Sequence, residues 1–256
     1  MRDEHGELQV VDLEKARQQW EDLADAYRRI DIGIDVLPAA EGLPDLCFTA
    51  NPSLALPLPD GTCDVWLSQM AHPSRAAEVA IHAKFFAAQD LIVHEFPSEV
   101  QRFEGCGDGI LHPGRFLMHA GTGPRTSVQA WEVFDATYPE LVVLHYELQD
   151  ERFYHLDTAL TPLDQHTAMF VPSAFNERGL DLLTAAFDDL IELPLEEALS
   201  FAGNAHCPDG HHVLIQSGCE RTEAALRERG FKPLALDTSE FRKSGGSVFC
   251  LKMAWR

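Results

Sequence analysis

The sequence predicts an α/β protein assembled from a repeated unit of hairpin, helix and strand set around an axis. Three observations predict it. Amphipathic helix patterns alternate with short apolar strand patterns along the whole chain. The helices after the first begin near Arg75, Ser127, Phe175 and Thr222, at steps of 52, 48 and 47 residues. Between each strand and the next helix lies room for a hairpin, with turn residues in place. No unit this short buries its own apolar face, which favours modules packed around a common centre. An irregular α/β sheet of the same spacing is the alternative that spacing alone leaves open.

The first helix is expected over Leu13 to Ile30, where Leu13, Ala16, Trp20, Leu23, Tyr27 and Ile30 recur at three- and four-residue intervals. A strand over Ile34-Asp35-Val36-Leu37 should follow it. The helix near Arg75 leads to Leu91-Ile92-Val93, and the one near Ser127 to Leu141 through Leu144. The helix near Phe175 leads to Leu190 through Leu193, and the one near Thr222 to Leu234-Ala235-Leu236. Gly109-Ile110-Leu111 and Phe116-Leu117-Met118 flank a His112-Pro113-Gly114 turn, and Cys207-Pro208-Asp209-Gly210 leads into Val213-Leu214-Ile215. No linker divides the chain, so residues 1–256 are expected to form one domain.

Charge narrows the function. Lys and Arg number 20 against 41 Asp and Glu, a net charge of −21 over 256 residues. A surface this acidic repels a phosphate backbone, which excludes nucleic acid as a partner and favours small cations. The apolar runs are too short to span a bilayer, so no membrane role is expected. The start, Met1 through Glu7, lacks the order of a secretory signal, and the six cysteines form no CxxC pair. Reduced thiols in a cytoplasm are the expectation.

Polar residues interrupt the apolar pattern at equivalent points of the repeat. Asn51 follows Phe48-Thr49-Ala50, Glu104 and Asp108 flank Gly105-Cys106-Gly107, and His155 and Asp157 interrupt Phe153 through Thr158. Asn204 follows Phe201-Ala202-Gly203, and Cys250 follows Gly245-Gly246-Ser247-Val248-Phe249. From Asp108 to His155, Asn204 and Cys250 the steps are 47, 49 and 46 residues. Around an axis such points converge. On strands, His155 and Asp157 would share a face, and so would Val248, Cys250 and Lys252. Glu104 could orient His155, and His155 could serve a thiolate at Cys250, giving nucleophile, base and orienter.

Phe103 through Asp108, Phe153 through Thr158 and Ser239 through Leu251 resemble, in this order, the three signatures of the guanidine-modifying enzymes. This is the amidinotransferase or pentein superfamily: arginine deiminases, arginine dihydrolases, dimethylarginine hydrolases and amidinotransferases. The resemblance runs from Leu13 to the C-terminus. It implies a five-fold pseudosymmetric α/β propeller of ββαβ units, no cofactor and no metal. It also implies a small cationic guanidino substrate. Cys250, His155 and Glu104 are then the expected catalytic residues. Asp108, Asp157, Asn51, Arg125 and Asn204 are the expected substrate-binding residues. A guanidinium is a planar fork of donors that carboxylates meet bidentately, and its charge favours the thiolate.

Two departures from the family pattern bear on function. Deiminases carry an acid where this chain has Asn51, and an asparagine in this context is similar to the arginine dihydrolases, which carry arginine to ornithine, ammonia and carbon dioxide. Relatives also open with a strand before the first helix, whereas this chain reaches that helix almost at once; the first strand is expected to be missing, leaving the Cys250 strand with an open edge. Amidino transfer to an acceptor amine, deimination of arginine, methylated arginine as substrate, and a cation-binding module without catalysis are the competing readings. The sequence leaves the oligomeric state open, a homo-oligomer included. Cys47, Cys63 and Cys219 read as packing residues. His206, Cys207, His211, His212 and Cys219 lack the spacing of a zinc site and read as a hairpin tip.

Overall fold

The computed structural model describes residues 9–255. Among the described residues there are seven α-helices: α1 Leu13–Arg29, α2 Ala76–Ala87, α3 Val128–Thr137, α4 Glu177–Ala186, α5 Leu195–Leu199, α6 Glu220–Glu228 and α7 Ser239–Arg242. The strands are β1 Ser53–Pro57, β2 Cys63–Leu67, β3 Ile92–His94, β4 Gly109–Leu111, β5 Leu117–Thr122 and β6 Val142–Glu147. They continue with β7 Leu160–Pro162, β8 Thr167–Phe170, β9 Asp189–Glu192, β10 His212–Gln216 and β11 Lys232–Leu236.

The strands form four small sheets with one recurring plan. β1 and β2 make an antiparallel hairpin, and β3 returns after α2 to lie parallel to β2. β4, β5 and β6 repeat this around α3, as do β7, β8 and β9 around α4. In the last sheet β11 returns after α6 parallel to β10, and only the bridge His206–Leu214 stands where the others have a full first strand. The observed fold is a mixed α/β fold of repeated units, as the helix spacing predicts.

Local chemistry explains the clearest elements. In α1 the Asp12 side chain caps the N-terminus by accepting from the Lys15 N–H, Glu14 sits in the first turn, and Arg28 and Arg29 sit in the last. Its Leu23, Ala26 and Tyr27 pack with Leu214, Val248, Cys250 and Leu251, so this helix backs the Cys250 segment. The larger core runs through the other sheets and centres on Phe103, Trp131 and Phe134.

Three expectations are corrected. The segment Ile34–Leu37 forms no strand among the described residues. His155 and Asp157 do not lie on a strand: His155 precedes a 3-10 turn over Leu156–Thr158, closed where the Thr158 N–H and hydroxyl both donate to the His155 carbonyl. Cys250 likewise sits on a turn, with Leu251 N–H on the Ser247 carbonyl and Lys252 N–H on that of Phe249. The alternating-face argument for Val248, Cys250 and Lys252 therefore fails. The reading of Met1 through Glu7, and of a strand before α1, falls on residues outside those described.

The polar turns are joined to one another. Cys106 N–H donates to the Ala50 carbonyl at 2.7 Å and Leu156 N–H to Asp108 Oδ1 at 3.0 Å. Asn204 Nδ2 donates to the Asp157 carbonyl at 3.1 Å and Phe249 N–H to that of Asn204 at 3.0 Å. The Ala50 N–H then donates to the Cys250 carbonyl at 3.2 Å, linking the last turn to the first. This circuit gathers residues from five distant stretches of chain around one point.

Candidate active site

Each polar residue is presented by a turn that its neighbours force. Gly105 holds φ +55, and a Cβ there would fall 2.3 Å from the Ser53 carbonyl oxygen, so only glycine fits beside Glu104. A Cβ on Gly107 would meet Asn51 Nδ2 at 2.7 Å and His155 Cγ at 3.2 Å, so the bare glycine lets these two side chains approach. The double glycine at 245–246 frees the chain before Cys250, and a Cβ on Gly246 would strike the Phe48 ring at 2.3 Å.

Glu104 is wholly buried and carries three bonds. His155 Nε2 donates to Oε2 at 2.8 Å, Arg125 Nη1 to the same oxygen at 3.1 Å, and Ala71 N–H to Oε1 at 3.0 Å. Burial alone would push this carboxyl up; the bond from His155 and the charges of His155 and Arg125 outweigh it and hold it down to about 2. His155 is also buried. Burial works against its charged form, but Asp108, the bond and charge of Glu104, and Asp157 together raise its basicity.

Cys250 Sγ donates to Asp157 Oδ2 at 3.3 Å and accepts from Asn204 Nδ2 at 3.2 Å. Burial first, and then the Asp157 charge, push the thiol well above its ordinary range. Burial also pushes Asp157 up to about 6, with Asp108 adding to it. Burial raises Asp108 as well. Asp108 Oδ2 and Asp157 Oδ1 are buried without a hydrogen-bond partner in the protein. Two such acceptors are costly unless something donates to them.

A cleft of about 120 Å³ opens onto this cluster, lined among others by Asn51, Arg75, Arg125, Tyr154, His155 and Cys250. The structure thus brings together Cys250, His155, Asp157, Asn204, Glu104 and Arg125 directly, with Asp108 bound to the Leu156 N–H beside them. Arg125 meets Glu104 and stacks its guanidinium 5.2 Å from the Tyr154 ring centre. Asn204 does not line the cleft. Its amide holds Cys250 and Ser247 through Oδ1 and the Asp157 carbonyl through Nδ2, so it anchors the nucleophile's turn.

Sequence reasoning missed Arg75. It lies buried just before α2, donates from Nη1 to Asn51 Oδ1 at 2.9 Å and binds Glu78 in a fork. The available signal was an Arg and a Glu three apart at the start of an apolar helix. The histidine and cysteine group is dispersed on other partners: His206 Nδ1 on the Tyr27 hydroxyl at 2.8 Å and His212 Nδ1 on Asp209 at 2.7 Å. Among the described residues no cluster suits a metal ion, and no helix is long and apolar enough to cross a membrane.

Residues 3–255 match the family model of the eukaryotic N,N dimethylarginine dimethylhydrolases. The chain belongs to this dimethylarginine hydrolase family. It is therefore a member of the pentein guanidino-modifying superfamily and an amidine-hydrolysing enzyme. The N(G),N(G)-dimethylarginine dimethylaminohydrolase of Mycobacterium tuberculosis is 36% identical over 242 residues, covering 94% of this chain and 76% of that protein. ArgZ of Synechocystis, a bifunctional arginine dihydrolase/ornithine cyclodeaminase, is 32% identical over 97% of this chain, which spans 34% of ArgZ. A crystal structure of the ArgZ N-terminal domain, an Asn→Ser variant covalently bound to a reaction intermediate, superposes with a TM-score of 0.87. It is 28% identical, with 95% of this chain and 87% of that one covered. Both dimethylarginine and arginine hydrolases thus stand among the relatives of this family member.

Proposed function

We propose that the protein is a cysteine-dependent hydrolase of the guanidino group of L-arginine, acting through a covalent thiouronium on Cys250 and continuing to ornithine, ammonia and carbon dioxide. One observation carries this: two buried, unpaired carboxylate oxygens, on Asp108 and Asp157, beside a thiol and an ion-paired imidazole. A guanidinium donates to both oxygens. Its charge lowers the cost of ionising Asp157 and of forming the Cys250 thiolate, which burial opposes in the free enzyme.

The thiolate attacks the guanidino carbon. The departing nitrogen takes its proton from the His155 imidazolium, which Glu104 holds in place. His155, now neutral, takes a proton from water as that water attacks the thiouronium, and the Cys250–carbon bond breaks. Arg125 stands at the cleft where a substrate carboxylate would lie. The circuit of turns supports a five-fold propeller for this domain, residues 1–256, with the site at its centre. The free cysteines fit a reducing, cytoplasmic setting.

Acid quenching during turnover, followed by peptide mass spectrometry, should find the substrate-derived adduct on the peptide carrying Cys250. An adduct elsewhere, or none under burst conditions, sinks the proposal. The second reading is hydrolysis of dimethylarginine, favoured by the 36% identity to the Mycobacterium tuberculosis enzyme. Release of dimethylamine faster than ammonia from arginine would select it. A requirement for an acceptor amine would select amidino transfer instead.

A further inference from the structure

We propose that the buried chain Tyr146–His119–His112–Gln165 is an acid switch: it ties the β4–β6 sheet to the β7–β8 hairpin only while both imidazoles are neutral, and its protonation loosens β5 behind Asp108 and stops turnover. Only the effect on turnover rests on the hydrolase reading above.

His112 lies in the turn between β4 and β5, His119 on β5 and Tyr146 on β6, and all three are buried. The Tyr146 hydroxyl is 2.9 Å from His119 Nδ1, His119 Nε2 is 3.1 Å from His112 Nδ1, and His112 Nε2 is 3.0 Å from the Gln165 carbonyl oxygen. The proton positions follow from one end. A carbonyl only accepts, so His112 Nε2 carries a proton. In the neutral ring Nδ1 is then bare and accepts from His119 Nε2, whose own Nδ1 is bare in turn and accepts from the Tyr146 hydroxyl. Every ring nitrogen has its partner. Phe187 stacks on both rings, at 4.7 and 5.2 Å, and covers them.

A further proton has no place in this chain. On His112 Nδ1 it would face the His119 N–H, and on His119 Nδ1 it would face the Tyr146 O–H. Among the described residues neither ring meets a carboxylate. Arg115, in the turn with His112, donates to the Ala186 carbonyl at 3.3 Å. Asp164 and His166 flank Gln165; Asp164 accepts the N–H groups of His166 and Thr167, and His166 pairs with Asp188 at 2.6 Å. His145, beside Tyr146 on β6, pairs with Asp135 of α3 at 3.2 Å. Burial, the largest effect, opposes a charge on His112; the Gln165 carbonyl and Asp164 favour it, and Arg115 and His166 oppose it. The balance holds His112 below its ordinary range, and burial with His112 holds His119 down to about 3. An unfolded histidine takes its proton near 6.5, so protons favour the opened chain, and the closed one loses stability as pH falls from 6.5 toward about 3.

The chain ends behind the site. Tyr146 pairs with Gly121 in the β5–β6 register, and Gly121 stands two residues beyond His119. The Gly121 N–H donates to the Asp108 carbonyl at 2.7 Å, and a Cβ on Gly121 would stand 2.9 Å from Asp108 Oδ1 and 2.8 Å from Leu156 Cβ. The backbone of β5 thus backs the turns that present Asp108 and His155. A proton that parts His119 from Tyr146 acts on that backing.

The test joins three readouts on the full-length protein. Long-range proton–nitrogen NMR correlation should show His112 and His119 as neutral Nε2–H tautomers at about pH 7 that stay neutral to about pH 5. On reversible acidification, protection of the Gly121 amide from hydrogen exchange and turnover of a guanidino substrate should be lost together. Tyr146→Phe leaves His119 Nδ1 without its donor and should move that loss upward by about one pH unit, with turnover at about pH 8 within about threefold of wild type. Glu104 and Asp157 titrate alike in both proteins, so the difference isolates the chain. An Nδ1–H tautomer on either ring, titration of either near the ordinary 6.5 or so, a Gly121 amide still protected where turnover has gone, or an unshifted loss in Tyr146→Phe overturns the proposal. Should Tyr146→Phe not fold, the tautomers and the Gly121 amide of the wild type decide. Absence of turnover on every guanidino substrate sinks the hydrolase reading, and the Gly121 amide then decides the switch.

Discussion

Asn204 grips Cys250 from two sides: Nδ2 donates to the sulfur and Oδ1 accepts from the Cys250 N–H, each at 3.2 Å. The same oxygen accepts from Ser247, and the same nitrogen donates to the Asp157 carbonyl. One buried amide therefore sets the distance between the thiol and the carboxylate to which it donates. A short side chain reaches all four groups because the circuit of turns has already drawn 157, 204 and 250 together.

Asn204→Ala should leave the Cys250 and Ser247 N–H groups without acceptors in a dry site. The expected loss is about 2–4 kcal/mol in denaturant unfolding. Turnover should fall on the order of a hundredfold through kcat, with KM little changed, because the Asn204 amide is engaged with the Cys250 turn. A rise in KM alone would assign Asn204 to substrate binding and not to the Cys250 turn.

Glu104→Gln removes the anion that His155 and Arg125 share. kcat should fall by about 10² to 10⁴, the range of a general acid–base contribution. The acid limb of stability should change as well. The Glu104 carboxyl is held down to about 2 from an ordinary 4.5, so its contribution is present above 4.5 and is lost as pH falls from 4.5 toward 2. That shift corresponds to about 3 kcal/mol. Asp157, pushed up to about 6, acts in the opposite sense over pH 4 to 6. The difference between wild type and Glu104→Gln isolates the first effect; it should shrink on acidification through that window, and a constant difference contradicts the ion pair.

Free Cys250 should be a poor nucleophile toward neutral reagents, since burial and Asp157 hold it as a thiol. Iodoacetamide should label it slowly at neutral pH and faster only above the ordinary thiol range of about 8.5. A cationic haloacetamidine should label it readily at neutral pH, because its charge compensates Asp108 and Asp157. Equal rates for the two reagents, read by mass spectrometry of the Cys250 peptide, would contradict this electrostatic account.

Gly105→Ala tests the backbone of the site. Its φ is +55, and a methyl group there would stand 2.3 to 2.7 Å from the carbonyl oxygens of Ser53, Ala50 and Asn51, which leaves it no room. The expected cost is about 2 kcal/mol or more, with turnover reduced through displacement of Glu104. Wild-type stability and activity in this variant would contradict the tight turn.

Much of this arrangement is legible in the sequence. The pattern from Leu13 to Ile30 marks a helix observed over Leu13–Arg29, because its apolar stripe and its Asp12 cap agree. The strand at Leu141 through Leu144 matches β6, which pairs with the hairpin strand β5 and packs on α3. Periodicity misleads where hydrogen bonding is local. His155 and Asp157 alternate as a strand would, yet Thr158 folds back on the His155 carbonyl and makes a turn. Ile34–Leu37 has the composition of a strand, yet no sheet among the described residues includes it. Arg75 escapes notice because charge at a helix start reads as solvated, and only tertiary packing shows that Asn51, Asp45, Phe48 and Glu78 surround it. The register of Asn204 matches that of the other site residues; register does not reveal that its amide also anchors the Cys250 turn.

The most direct measurement is the product balance from L-arginine, with Cys250→Ser beside the wild type. Ornithine with about two ammonia per arginine, no urea, and no product from Cys250→Ser is the expected result. Citrulline as the sole end product would contradict the second hydrolysis, and turnover by Cys250→Ser would contradict the nucleophile on which the mechanism stands.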